Sequence, residues 1–294
     1  MIGAWFALSA LIFPPTTPGT IHKVPPALAV RLAPGVPRQD TARAQLDHAT
    51  TTKRGLRGRR GESRERARMD AVAAYRAVRQ YFPRDRALSA EASFRAGELL
   101  RSGRSHASAL AEFEHARVLG KDTVFRARAG LEIGHIHRRA GRTMNALTSY
   151  EAVQAQGGEF AEQRHQATYW AGRSHARLGR PGDARRCFER AAREGVYALD
   201  RVRAFDAWAD ALIEIGDLEG AAGVLGLCRS ELHDQALEES ELGLRLRAAL
   251  EGMRSVGRLA RAVEDRRKRR ALQPPRHFAV PPRLFPPGGG WPPA

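Results

Sequence analysis

Five alanines recur at a nearly constant interval, and this repeat constrains the fold more than any other feature of the sequence. The separations between them are 38, 37, 38 and 37 residues. The alanines are Ala71, Ala109, Ala146, Ala184 and Ala221. A large apolar residue follows each of them four positions later: Tyr75, Phe113, Tyr150, Phe188 and Leu225. Such a period is typical of stacked supersecondary units, each too small to bury its apolar face alone.

The sequence between residues 63 and 270 has the pattern of consecutive helices. Proline occurs there only at positions 83 and 181, and apolar residues recur at spacings of three and four. Glycines mark short breaks at 103, 141, 179 and 216. Twelve positions before the later alanines stand the small residues Gly97, Gly134, Gly172 and Ala209, where two helices of a hairpin would approach closely. We therefore expect an all-α chain of helical hairpins.

The order small, aromatic, small resembles the tetratricopeptide repeat over roughly residues 65–230. The clearest matches are Gly134–Gly141–Ala146–Tyr150 and Gly172–Gly179–Ala184–Phe188–Ala191. The period exceeds the 34 residues of that family, so longer helices or loops are expected. The resemblance implies a right-handed superhelix of stacked hairpins. Its packing residues would be Ala109, Phe113, Gly134, Ala146, Tyr150, Gly172, Ala184, Phe188 and Ala221.

A shorter stretch, Ala74–Arg104, is similar to the repeats of bacterial cell-envelope proteins that assist outer-membrane assembly and the Tol-Pal system. It reads AYRAVRQYFPRDRALSAEASFRAGELLRSGR. The first thirteen residues are apolar apart from Ser9, which suits either a secretion signal or a disordered apolar N-terminus. Together these features favour an exported or cell-envelope location over the cytoplasm.

Charge and proline content divide the chain into four segments. The 49 Lys and Arg residues exceed the 32 Asp and Glu residues by 17, and most of the excess lies at the ends. Residues 1–62 are predicted to be a disordered basic tail, and residues 271–294 a disordered proline-rich tail. Residues 63–230 would form the repeats, followed by capping helices over 231–270, predicted as Leu232–Leu250 and Met253–Arg270.

The tetratricopeptide resemblance places the first helix of each hairpin on a concave face and so predicts a partner-binding groove. The second and third units would supply Arg128, Leu131, His135, Arg138, Arg139, Gln166, Tyr169, Arg173 and Arg177. The flanking units would add Glu91, Phe94, Glu98, Arg101, Arg203, Asp206, Asp210 and Glu214. The central units are therefore basic, and guanidinium groups pair well with carboxylates, which favours an extended acidic ligand. A merely solvated basic helix face would have the same pattern.

Motifs for catalysis are absent from the sequence. It contains no GxxxxGK[ST], GxGxxG, HExxH or GxSxG, and the histidines are scattered. Cys187 and Cys228 are expected to pack as small apolar groups. We therefore predict no enzyme activity, no cofactor, no metal and no small-molecule substrate.

Two functions remain open. The first is a scaffold that holds an extended segment of a partner protein in the groove. The second is binding of anionic polymers, either nucleic acid or an anionic membrane surface, through Lys53–Arg60 and Arg266–Arg270.

Overall fold

The computed structural model describes residues 35–121, 123–157 and 160–272, and this part of the chain is helical without strands. The helices are α1 Ala42–Arg54, α2 Gly61–Tyr81, α3 Arg86–Ser102, α4 His106–Leu119, α5 Val124–Arg139, α6 Thr143–Gln154, α7 Ala161–Arg177, α8 Pro181–Glu194, α9 Ala198–Glu214, α10 Leu218–Leu237, α11 Glu241–Glu251 and α12 Arg254–Leu272. Across the described ranges, none of these helices has the length and apolar character needed to cross a bilayer.

Consecutive helices pack as five hairpins, from α1–α2 to α9–α10, and each hairpin packs on the next. The alanines of the repeat all lie in the second helices. In four of the hairpins, the turn between the two helices ends with a residue in the left-handed backbone conformation. Three of these residues are Gly141, Gly179 and Gly216, with φ of 75°, 70° and 82°. In the α3–α4 hairpin the same position holds Arg104, with φ of 63°. The predicted all-α, tetratricopeptide-like stack of hairpins is confirmed, and the hand of its superhelix stays a prediction.

Three glycines of the first helices lie directly against the large rings of the second helices. A Cβ added to Gly97 would come within 2.7 Å of the Phe113 ring, and one added to Gly172 would come equally close to Phe188. At Gly134 it would collide with the Tyr150 ring. Glycine is therefore required at these crossings because no side chain fits between the two helices. The predicted packing residues are all buried.

The predicted N-terminal boundary is wrong, because residues 42–54 form α1 rather than part of a disordered tail. Thr41 caps this helix by accepting the Ala44 N–H at 3.1 Å. Leu46 and Ala49 are buried in the same core as Tyr75 of α2. The repeats thus begin one helix earlier than predicted. The predicted apolar segment 1–13 lies outside the described residues.

The C-terminal helices also differ from the prediction. Helix α10 continues to Leu237, and the predicted helix Leu232–Leu250 is interrupted before α11 begins at Glu241. The predicted helix Met253–Arg270 corresponds closely to α12. Helix α12 packs against α9 and α10 instead of extending the row of hairpins. Most of the predicted tail 271–294 lies outside the described residues.

Candidate functional site

The first helices of successive hairpins pack side by side, except that α7 and α9 are separated. Helices α3 and α5 contact each other, as do α5 and α7, whereas α7 and α9 lie further apart within the described chain. Two cavities of about 430 and 420 Å³ open between α7 and α9. We call this space the α7–α9 groove. It has an N-terminal cavity around Tyr169 and a C-terminal cavity around Arg173 and Arg177.

The N-terminal cavity combines aromatic and polar groups. Tyr169 and Trp170 line it with their rings edge to face at 5.4 Å. Gln166 lines it from the same helix and donates a hydrogen bond from Nε2 to Glu162 Oε1 at 3.2 Å. From α9, the cavity is lined by Asp200 and Arg203, which are paired with each other at 2.8 Å. The cavity can therefore take an apolar side chain beside hydrogen-bonding groups.

The C-terminal cavity is lined by four arginines and two carboxylates. Arg173 and Arg177 come from α7, and Arg254 and Arg258 come from α12. Asp210 and Glu214 of α9 face them, 3.0 and 3.7 Å from the Arg258 guanidinium. Within the described part of the chain, Arg173, Arg177 and Arg254 form no ion pair. Apolar atoms of Ala176, Phe188, Ala207 and Ala211 complete the lining.

The carboxylate of Asp210 is partly withdrawn from water in this cavity. Burial raises the pKa of Asp210 above its usual value, and Arg258 opposes that rise. Arg258 therefore mainly neutralises the carboxylates of α9 and contributes little positive charge to a ligand. The positive charge open to a ligand belongs to the other three arginines.

Two of the predicted groove residues in α5 belong to the interior. Leu131 is 5% exposed, and the aligned Phe94 of α3 is buried as well, so their placement in the groove is wrong. His135 packs edge to face against Trp170, and its Nδ1 lies 2.9 Å from the Tyr150 hydroxyl. Burial, with Arg138, Arg139 and Arg101, lowers the pKa of His135 to about 4. The neutral His135 shares a hydrogen bond with the Tyr150 hydroxyl and acts as a packing residue.

The three arginines predicted in α5 lie at the surface or against a ring. Arg128 and Arg139 are exposed, while the Arg138 guanidinium lies 4.3 Å from the centre of the Trp170 ring. Arg138 thereby fixes Trp170 at the edge of the N-terminal cavity. The predicted residues that the structure brings into the groove itself are Gln166, Tyr169, Arg173 and Arg177 of α7, together with Arg203, Asp210 and Glu214 of α9.

Several groove residues were missed by the sequence analysis. Trp170 directly follows Tyr169, and Asp200 lies three positions before Arg203, so their places on the helices could have been inferred. Arg254 and Arg258 stand four residues apart on α12, a spacing that puts them on one helix face. That α12 returns to α9 was not visible in the repeat pattern, because α12 is not a repeat helix.

The groups with potential for metal or thiol chemistry are dispersed. The described residues contain no cluster of three or more His, Cys, Asp or Glu that could hold a metal ion. Both cysteines are unbridged, and burial raises the pKa of Cys228 to about 12. A thiol with such a pKa is a poor nucleophile at neutral pH.

Comparison with known proteins gives similarity in solved structures alone. No family model matches the chain, and no curated protein matches its sequence. Solved structures with a similar arrangement include MamA, with 17% identity and a TM-score of 0.49 over 68% of this chain and 96% of MamA. PilF of Pseudomonas aeruginosa has 15% identity and a TM-score of 0.47 over 79% of this chain and 97% of PilF. A tetratricopeptide repeat protein of Parabacteroides merdae has 14% identity and a TM-score of 0.48 over 80% of each chain.

Proposed function

We propose that this chain is a non-catalytic scaffold that holds an extended acidic segment of a partner protein in the α7–α9 groove. The observation that carries the proposal is that three arginines of the C-terminal cavity, Arg173, Arg177 and Arg254, form no ion pair within the described residues. Stacked helical hairpins commonly use the face of their first helices to bind proteins. Arginine suits this role because its planar group can hold a carboxylate through two parallel hydrogen bonds.

The N-terminal cavity supports a peptide rather than a small molecule as the ligand. It is followed along α7 by the C-terminal cavity, and it is lined by Tyr169 and Trp170, residue types enriched where proteins bind one another. An extended chain can place one side chain between these rings and another among the arginines. A compact substrate would reach only one cavity.

Site-specific crosslinking in the native host tests the scaffold directly. A photoreactive phenylalanine analogue replaces Arg177 in the full chain, and crosslinked peptides are identified by mass spectrometry. We expect one short acidic segment of a partner to be attached. The same analogue at Asn145, exposed on the second helix α6, is the control and should not attach that segment.

A charge reversal provides the complementary measurement. Arg177→Glu should weaken capture of the crosslinked partner at least about tenfold, because it puts a carboxylate against a carboxylate. Arg229→Glu makes the same change at an exposed arginine of α10 and should leave capture unchanged. Equal capture by both variants would contradict a binding site in the α7–α9 groove.

A second function, binding of nucleic acid or an anionic membrane surface, is favoured by the end of α12. Arg266, Arg267, Lys268 and Arg269 are all exposed, and among them only Lys268 forms an ion pair within the described chain, with Glu264. A further exposed basic group lies in the α1–α2 turn, at Arg57, Arg59 and Arg60. Replacing these four residues of α12 with glutamine should abolish salt-sensitive binding to single-stranded DNA or to phosphatidylglycerol vesicles. The substitution should not affect capture of the protein partner.

An envelope location completes the proposal. It rests on the similarity of residues 74–104 to repeats of cell-envelope proteins. Fractionation of the native host, with N-terminal sequencing of the mature chain, tests it, and a cytoplasmic chain would contradict it.

A further inference from the structure

Helix α12 is held against the acidic side of α9 by specific contacts. The Asp206 carboxylate accepts hydrogen bonds from the Ser255 backbone N–H at 2.9 Å and from the Ser255 hydroxyl at 2.6 Å. Ser255 is fully buried. One helical turn later, Arg258 binds Asp210 and Glu214. These contacts fix the beginning of α12 at the C-terminal cavity and place Arg254 at its edge.

The C-terminal cavity keeps an excess of positive charge after its internal ion pairs are counted. Arg258 is shared between the two carboxylates of α9, which leaves Arg173, Arg177 and Arg254 against about one surplus negative charge. The three side chains come from two helices that are far apart in sequence. The alanine side chains and the Phe188 ring offer an apolar surface beside them.

We infer that α12 completes a pocket for a single glutamate or aspartate side chain of the partner segment, with Arg254 as one of its ligands. The inference rests on the proposed scaffold function and adds a specificity-determining helix from outside the repeats. The guanidinium groups bind the carboxylate, and the methylene groups of the bound residue pack on the apolar surface. A doubly charged phosphate is less suitable because Asp210 and Glu214 lie in the same cavity.

The distance between the two cavities determines how far apart in the partner segment the two bound side chains must lie. The two sets of lining residues are about eight positions apart on α7, which corresponds to about 12 Å along a helix. An extended chain covers this distance in about four residues, and side chains four apart point to the same face. The partner segment should therefore carry an aromatic or aliphatic residue four positions from the acidic residue.

Selection from a phage library of random twelve-residue peptides tests the inference on the full chain. Peptides bound by the unaltered protein should be enriched in Glu or Asp four positions from an apolar residue. With Arg254→Ala, we expect the acidic enrichment to disappear. A selected glutamate peptide should bind this variant about tenfold more weakly, while its glutamine version binds both proteins equally.

Arg261→Ala is the matched control, because it removes an exposed arginine from the same helix and Arg261 does not line the cavity. It should retain the selectivity of the unaltered chain, and Arg254→Lys should retain part of it. Melting curves of all variants should coincide, since Arg254 is exposed. If Arg254→Ala and Arg261→Ala select the same acidic peptides, the inference is wrong and the scaffold stands. If the unaltered chain enriches no peptide, both proposals fail.

Discussion

Helices α7 and α9 occupy equivalent positions in successive hairpins, yet they carry opposite charge at the same register. Arg173 and Arg177 of α7 correspond to Asp210 and Glu214 of α9, since each pair follows its small residue by one and five positions. The α9 carboxylates are bonded to Arg258 of the chain itself, whereas the α7 arginines have no acidic partner among the described residues. The same backbone position thus serves internal attachment in one unit and remains accessible to a ligand in the other.

The two helices also differ in how they meet their second helices. In α5 and α7 the crossing residue is glycine and the opposing residue is an aromatic ring. In α9 the crossing residue is Ala209, and Leu225 replaces the ring. The central hairpins are therefore the most sensitive to added volume, and the last hairpin depends more on α12.

The largest effect is expected from adding volume at a central crossing. Gly134→Val should lower the free energy of unfolding by about 3 kcal/mol, because its side chain collides with the Tyr150 ring. Urea unfolding followed by circular dichroism measures the change. Gly223→Val places the same side chain on the exposed surface of α10, where an added Cβ meets no atom within 4 Å, and should change stability by less than about 0.5 kcal/mol. Ala209→Gly in α9 should cost only about 1 kcal/mol.

An intermediate effect is expected where α12 is attached to α9. Asp206→Ala leaves the buried Ser255 N–H and hydroxyl without their acceptor and should cost about 2 kcal/mol. Hydrogen exchange should show lost protection in α12, with the α3–α4 hairpin unchanged. Asp200→Ala, which breaks the partly exposed pair with Arg203, is the control and should cost less than about 0.5 kcal/mol. Retained protection of α12 in Asp206→Ala would refute its attachment through this carboxylate.

The smallest effect concerns pH. The pKa of His135 is about 4 in the folded protein and near 6.5 in the unfolded chain. Between these values the unfolded chain binds a proton that the folded one does not, so stability falls as pH falls, by about 1–2 kcal/mol at pH 5. His135→Gln should flatten this part of the stability curve. Arg173→Gln, at the same register of α7, is the control and should leave the slope of the stability curve unchanged.

Asp210 in α9 should act in the opposite direction. Because its pKa is raised in the folded protein, its protonation as pH falls favours the folded state. If Asp210→Asn altered the acid dependence with the same sign as His135→Gln, the opposite pKa shifts of His135 in α5 and Asp210 in α9 would be refuted.

The sequence was sufficient to predict the hairpins because their packing repeats a few local rules. Gly97, Gly134 and Gly172 face the predicted rings, and the left-handed glycines fall in the predicted turns. Helix α1 was not predicted because residues 55–60 lengthen the turn between α1 and α2. This longer turn shifts the buried residues of α1 out of the repeat register. Arg59, not a small residue, stands twelve positions before Ala71.

The candidate site was only partly predictable, because it depends on contacts between distant segments. Helical spacing placed Gln166, Tyr169, Arg173 and Arg177 on one face, and these four residues line the two cavities. The same spacing wrongly placed Leu131 in the groove, because it gives the face of a residue but not how far the neighbouring helix covers it. The contact between Asp206 and Ser255 joins residues 49 positions apart, and no local sequence pattern predicts it.

The position of α12 limits how this array can grow. Helices α11 and α12 cover the surfaces of α9 and α10 against which another hairpin would dock. A duplicated unit inserted directly after α10 would have to displace them and would separate Arg254 from Arg173 and Arg177. A duplicated hairpin is therefore compatible with the α7–α9 groove only if it is inserted before α7. The C-terminal edge of the groove, which α12 forms, then fixes where the binding site for a peptide ends.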